Sequence, residues 1–270
     1  MKPLALSVFT KPWKDLSPDE LGEQTRRLGF DAIEFPLRAG YQADPEFARR
    51  DLPRLAKTLA QYDLAIASVA SDTREETFAA CQEAGVPLLR IMLGTPPGAG
   101  YLEAEQTWKR ELARLLPLCE RYQVKLGVQQ HVGSGVFSSM ELRHVLEGFD
   151  PHWIGAIWDA AHSALAGELP EQALDILWDY LLLMNFKNAY FARVNPDGPD
   201  EQARFKPVFT PARQGAADWR RALTYAMKRG YRGVLCMPAE YSETDRVLEY
   251  LAQDAAYLRD LRDSLSEEEG

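Results

Sequence analysis

Short apolar runs recur along the chain at intervals of about thirty residues. Each is followed by a stretch in which apolar positions return with helical spacing, the signature of repeated β–α units. The runs are Leu4–Phe9, Ala32–Phe35, Leu64–Val69, Leu88–Leu93, Val124–His131, Trp153–Trp158, Leu181–Phe186 and Gly233–Pro238. Start signals mark the helices between them. Ser17 followed by Pro18 and Glu20 predicts a capping box with proline in the first turn, and Gly29 predicts the stop. Thr73 with Glu76, and Ser138 with Glu141, read as two further capping boxes. Helical patterns also cover 51–62, 103–122 and 242–265, and a stretch to Asp179 is broken at Gly167 and Pro170. The acidic tail, 266–270, is expected to fray. The segment 188–215 carries no clear pattern, and its length predicts a lid or rim loop.

Eight such units in one chain predict a (β/α)8 barrel, read as a single domain over 1–270. A doubly wound sheet would normally stop at five or six strands. Barrel enzymes place their chemistry at the C-terminal ends of the strands. Here those ends carry Glu34, Ser71, Gln129-Gln130-His131, Asp159 with His162, Asn185 with Lys187 and Asn188, and Glu240. Five successive βα units would aim them into one mouth.

Charge narrows the partners. Asp and Glu number 40 against 31 Lys and Arg, a net charge of −9. That balance argues against a general nucleic-acid binder and against an anionic membrane surface. No apolar run approaches the ~20 residues needed to span a bilayer, and the first residues lack the pattern of a signal peptide. The three cysteines, Cys81, Cys119 and Cys236, form no CxxC pair. They read as core residues of a reduced, cytoplasmic protein.

At the strand ends the sequence resembles the sugar phosphate isomerase/epimerase family, the xylose-isomerase-like barrels. Gly29-Phe30-Asp31-Ala32-Ile33-Glu34 is similar to the family's second strand, and Gly230-Tyr231-Arg232-Gly233-Val234-Leu235 to its eighth. Val128-Gln129-Gln130-His131 looks like the strand that usually ends Glu-Asn-His. Trp158-Asp159-Ala160-Ala161-His162 resembles the family's Asp-x-x-His, and Asn185-Phe186-Lys187-Asn188 its His-x-Lys-Asp. The resemblance implies a divalent metal held by Glu, Asp, His and Glu, at positions occupied here by Gln129, Asp159, Asn185 and Glu240. Two of those four ligands have become neutral amides. The set leaves a metal open, and an all-oxygen site would take Mg²⁺, Mn²⁺ or Ca²⁺ rather than zinc.

The same substitutions bear on the chemistry. Two-base epimerisation needs a carboxylate on each side of the reacting carbon, and Gln129 has no usable basicity. Glu240 is left as the base, which favours one-base aldose–ketose isomerisation through an enediol. A buried mouth is expected to raise its pKa. Lys187 could stabilise the enediolate oxygen, with His162 aimed back at the substrate. Glu34, Arg90, Gln130, His131, Trp158, Asn188, Arg193 and Arg213 are the expected substrate contacts, with Trp13 and Phe191 as further apolar wall. The expected ligand is a small-molecule sugar or polyol derivative, and the resemblance allows a homo-oligomer. Dehydration of an oxidised sugar uses the same enolate chemistry. A non-catalytic sugar-binding barrel is the alternative outside enzymes. The superfamily's DNA-repair endonucleases fit poorly, because 4 His and a net charge of −9 do not match a zinc-rich nuclease.

Overall fold

The computed structural model describes residues 3–133, 135–195 and 202–268. In chain order the elements are β1 (Leu6–Phe9), α1 (Pro18–Arg27), β2 (Ala32–Pro36), α2 (Ala48–Ala60), β3 (Ala65–Ala70), α3 (Glu75–Glu83), β4 (Leu88–Ile91) and α4 (Tyr101–Tyr122). Then come β5 (Lys125–Gln129), α5 (Ser139–Leu146), β6 (Ile154–Asp159), α6 (Ala160–Leu165), α7 (Pro170–Leu177) and β7 (Leu181–Asn185). The chain continues with β8 (Asn188–Arg193), β9 (Phe205–Thr210), α8 (Trp219–Lys228), β10 (Val234–Met237) and α9 (Val247–Glu268). Strands β1 to β7 and β10 close into one barrel, ordered β1-β10-β7-β6-β5-β4-β3-β2. Every pair within it is parallel. This is the predicted (β/α)8 architecture, and each predicted run overlaps one barrel strand.

Side chains alternate along a strand, so each barrel strand sends one set inward and the other toward the helices. The inward set changes character along the axis. Leu88, Ile157, Leu183 and Cys236 pack together in an apolar lower layer. Gly127 lies on the same inner face as Leu88 and Ile157, and a Cβ there would come within 2.7 Å of Ile157. Above that layer the inner face turns polar, with Glu34, Ser68, Arg90, Gln129, Asp159 and Asn185 all buried. The outward set, including Leu89, Val128 and Trp158, joins the larger core under the helices.

Two capping boxes form as predicted, at Ser17/Glu20 and Ser138/Glu141. The Thr73/Glu76 box does not. Helix α3 starts from Arg74 without a side-chain cap, and Asp72 accepts from the Arg74 amide and the Thr77 hydroxyl instead. The segment expected as a lid loop contains two paired strands. Its strands β8 and β9 pair antiparallel from Asn188↔Thr210 to Arg193↔Phe205. The expected frayed tail is helical as far as Glu268, and its last two residues lie outside the described ones. Among the described residues no helix is long and apolar enough to cross a membrane. All three cysteines are free and buried.

Candidate active site

Each side chain of the mouth is set by the last inward-facing position of its strand or by the turn that follows. Arg90, near the end of β4, is the hub of one wall. Its Nε donates to Glu34 Oε1 at 2.7 Å and its Nη1 to Gln129 Oε1 at 2.5 Å. Ser68 also donates to Glu34, at 3.1 Å. The buried Cys236 thiol lies 3.9 Å below the other oxygen of Glu34. Burial and the Glu34 charge push that thiol well above its ordinary pKa, so it stays protonated. From Gln129 the chain of bonds passes to Asp159, whose Oδ2 accepts from Gln129 Nε2 at 2.8 Å. Asp159 is also the N-cap of α6: its Oδ1 accepts from the amides of Ala161 and His162. The short helix after β6 therefore aims the carboxylate inward.

Lys187 stands in the centre of the opposite wall. Its ammonium donates to Glu240 Oε2 at 2.8 Å and lies 3.8 Å from Asp159 Oδ2. Phe209, from β9, covers it with a ring 4.6 Å away, a favourable placement for a desolvated cation. The Lys187 side chain is only 4% exposed, whereas that of Glu240 is 36% exposed. The turn that delivers Glu240 is strained, since Ala239 has a φ of 51° in the left-handed region that favours glycine. Burial raises the Glu240 carboxyl, but the charge of Lys187 and its hydrogen bond outweigh that and hold it below its ordinary value. The expected upward shift is thus reversed, because a cation sits at contact distance. The buried Oδ1 of Asn185, also facing the mouth, has no hydrogen-bond partner among the described residues.

The two histidine rings lie against each other, tilted by 45° with centroids 4.0 Å apart. His131 lines the mouth, and its Nδ1 donates to the Val132 carbonyl at 2.7 Å. Burial, then the Lys187 charge, lowers its pKa. His162 lies behind it, fully buried, and its Nδ1 accepts from the Val132 amide at 3.2 Å. Burial, Lys187 and His131 hold it far below its ordinary value, so the ring is neutral. Its Nε2 lies 4.0 Å from Asp159 Oδ2 and has no hydrogen-bond partner among the described residues. The expectation that it reaches substrate fails because that ring is sealed under the mouth.

Several other expected contacts lie elsewhere. Trp158 points outward, edge-on to Phe186, because strand alternation puts it opposite Asp159. Gln130 also turns away from the axis, toward the Ser139 hydroxyl. Asn188 fastens the root of the β8–β9 pair. Its side chain donates to the carbonyls of Ala212 and Ala217 and accepts from the amides of Ala189 and Ala217. Gly215 makes room for it, since a Cβ there would strike the Asn188 amide. Arg193 is exposed at the far end of β8. Arg213 stacks on Tyr257 outside the barrel. The mouth has lining residues that sequence reasoning passed over: Phe9, Lys11, Arg38 and Met92. Lys11 and Arg38 each lie two residues beyond a strand, after Phe9 and Pro36. The strand-end rule, applied one turn further out, would have found them.

The implied metal can be tested against this arrangement. Gln129 Oε1 is taken by the Arg90 guanidinium, and the oxygens of Asp159 serve two backbone amides and Gln129. A fixed cation, Lys187, already bridges Asp159 and Glu240. Among the described residues no three His, Cys, Asp or Glu side chains are placed to hold an ion. The expected Mg²⁺, Mn²⁺ or Ca²⁺ site therefore does not fit: its two anionic ligands are matched by a lysine, Gln129 is bound to an arginine, and Asn185 Oδ1 alone is left without a partner among the described residues.

Comparison with known proteins places this geometry in a family. Two inosose dehydratases match part of the chain. That of Bacillus licheniformis is 27% identical over 143 residues, which is 50% of this chain and 48% of that protein. That of Bacillus velezensis is 24% identical over 133 residues, 48% and 45%. The chain spans about half the length of these curated relatives. Among solved structures, an L-ribulose 3-epimerase superposes with a TM-score of 0.75 at 14% identity, covering 98% of this chain and 96% of the other. A xylose isomerase domain protein of Planctomyces limnophilus gives 0.73 at 16%, covering 98% and 99%. An IolI protein solved with a zinc atom gives 0.73 at 17%, covering 97% and 99%, so a bound metal occurs in this fold. The description "Xylose isomerase-like TIM barrel" matches residues 23–261. With the closed barrel and the polar mouth at its strand ends, the chain belongs to the xylose isomerase-like TIM barrel family.

Proposed function

We propose that this barrel is an enzyme that moves a proton at a carbon next to a carbonyl, in a sugar or polyol derivative, with Lys187 in the place of a metal ion. The observation that carries this reading is the contact pair at the mouth, Lys187 on Glu240 at 2.8 Å with Asp159 at 3.8 Å. A carboxylate below its ordinary pKa is ionised at neutral pH and can accept a proton. Lys187 occupies Oε2, which leaves the other oxygen of Glu240 for that task. The electron pair of the broken C–H bond moves into the carbonyl and makes an enediolate. The ammonium of Lys187, itself held away from water, donates to the developing oxyanion, and a desolvated donor of this kind is worth most. Asn185 Oδ1, unpartnered and buried, accepts from a substrate hydroxyl. Glu240 then returns the proton to the neighbouring carbon, while the hydroxyl on the carbon that lost it gives its own proton to the oxyanion beside Lys187 and becomes the new carbonyl, which completes an aldose–ketose isomerisation with one carbon base. His131, neutral and on the mouth, is the second group in reach of a substrate proton.

Dehydration is the second reading, favoured by the likeness to inosose dehydratases. It begins with the same proton removal. The enolate then expels the hydroxyl on the next carbon, and Glu240, protonated in the first step, supplies the proton that leaves with it as water.

The test is solvent deuterium incorporation across a panel of sugars and cyclitol ketones, with enone absorbance as the readout for dehydration. Glu240→Gln and Lys187→Met should each lower kcat by about 10²–10⁴ with smaller changes in KM. Activity should survive dialysis against a chelator. Undiminished exchange in Glu240→Gln would move the base to another residue. Activity lost to the chelator and restored by a divalent cation would overturn the lysine reading.

A further inference from the structure

The chain carries a net charge of −9, yet four cations line its mouth: Lys11, Arg38, Arg90 and Lys187. Three carboxylates, Glu34, Asp159 and Glu240, face them. Each carboxylate is already engaged, Glu34 with Arg90, Asp159 with Gln129 and Lys187, and Glu240 with Lys187. Lys11 and Arg38 make no ion pair and no side-chain hydrogen bond among the described residues. Lys11 acts on Glu240 only through its field, and Arg38 lies 6.0 Å over the Phe9 ring. Arg90 lies over the same ring at 4.8 Å. Its Nη2, unlike Nε and Nη1, is not bonded among the described residues. Phe9 thus brings two guanidiniums to one side of the mouth, with Lys11 two residues beyond it.

From this placement we propose that the substrate bears an anionic group, a carboxylate or a phosphate, held by Lys11, Arg38 and the outer edge of Arg90. The proposal rests on the proton-transfer reading for the rest of the substrate and adds its charge. A planar guanidinium matches both anions through paired N–H groups. Two of the three cations are unmatched in the free protein, so an anion gains their attraction without having to displace a carboxylate. The clamp sits over β1, β2 and β4, and the proton-transfer groups over β6, β7 and β10. A substrate anchored at one end would therefore offer its other end to Lys187 and Glu240. Arg193 and Arg213, the rim arginines picked out from sequence, take no part, because both point away from the mouth.

The experiment compares matched pairs by calorimetry on the intact protein: D-gluconate with D-glucitol, D-galacturonate with D-galactose, and D-fructose 6-phosphate with D-fructose. At least one anionic member should bind 10-fold or more tightly than its neutral partner, and its affinity should fall as salt rises. The first two pairs report a carboxylate, the third a phosphate. Lys11→Gln and Arg38→Gln, both at exposed positions, should each reduce that preference several-fold, and the double variant should abolish it. Circular dichroism and melting temperature check that the variants stay folded. Neutral members binding as well as anionic ones, no binding by any member, or a preference untouched in the double variant would each overturn the proposal. The deuterium assay is independent of this one, so a failed clamp and a failed proton transfer give different results.

Discussion

The two walls of the mouth are built from the same kinds of group and put them to opposite uses. On the β2–β4 side, Arg90 and Glu34 form an ion pair with side chains 8% and 1% exposed, cross-linked through Gln129 and Ser68. On the β7–β10 side, Lys187 is equally buried, but its partner Glu240 is more than a third exposed and is delivered by a strained turn. The first pair has every carboxylate oxygen placed against protein and is architecture. The second keeps one partner open to solvent and is chemistry. Burial of an ion pair is thus a poor guide to its role. What separates them is whether the carboxylate can still reach a ligand.

Breaking the architectural pair should show the largest effect on stability. Arg90→Met leaves the Glu34 carboxylate buried with only Ser68 and the Cys236 thiol. Denaturant unfolding should register a loss of about 3–5 kcal/mol. The double variant Arg90→Met with Glu34→Gln should recover part of it. Glu240→Gln, the matching change on the other wall, should leave stability close to wild type and remove activity. Equal stability losses at both walls would erase the distinction.

Acid should act on the chemical wall. His131 and His162 both sit below their ordinary 6.5, and Glu240 below 4.5. The unfolded chain therefore takes up these protons at higher pH than the folded one. Stability falls as pH drops below about 6.5, by up to ~1.4 kcal/mol per pH unit for each histidine. The Glu240 contribution is lost later, below 4.5. Melting curves between pH 7.5 and 5, compared with those of His131→Asn, read the first part of that fall. A flat profile would contradict the neutral pair.

The smallest effect should come from Ala239→Gly. Relief of the left-handed φ and the extra freedom of the unfolded chain oppose each other, so stability should move by no more than about 1 kcal/mol. The turn that aims Glu240 becomes looser, and kcat should fall several-fold while KM changes little. An unchanged kcat would show that the strain has no bearing on the carboxylate.

Local chemistry made much of this protein legible in one dimension. Apolar runs of strand length, capping boxes at Ser17 and Ser138, and glycine stops are written in neighbouring residues, and they specify eight β–α units wherever the chain is found. Polar residues at strand ends could be collected for the same reason, since the barrel places those ends together. Which of two adjacent residues points inward was harder. Asp159 and Trp158, or Gln129 and Gln130, differ by one step of a two-residue period, and only the register of the closed sheet decides between them. The paired strands β8 and β9 escaped because their alternation is half exposed and their placement depends on Asn188, Ser242 and Gly215, far apart in sequence. Above all, the partners of Lys187 and Arg90 could not be read from the chain. Their carboxylates lie 53 and 56 residues away, and whether a cation at the mouth is a metal or an ammonium depends on distances of a few ångströms that exist only after the barrel has closed.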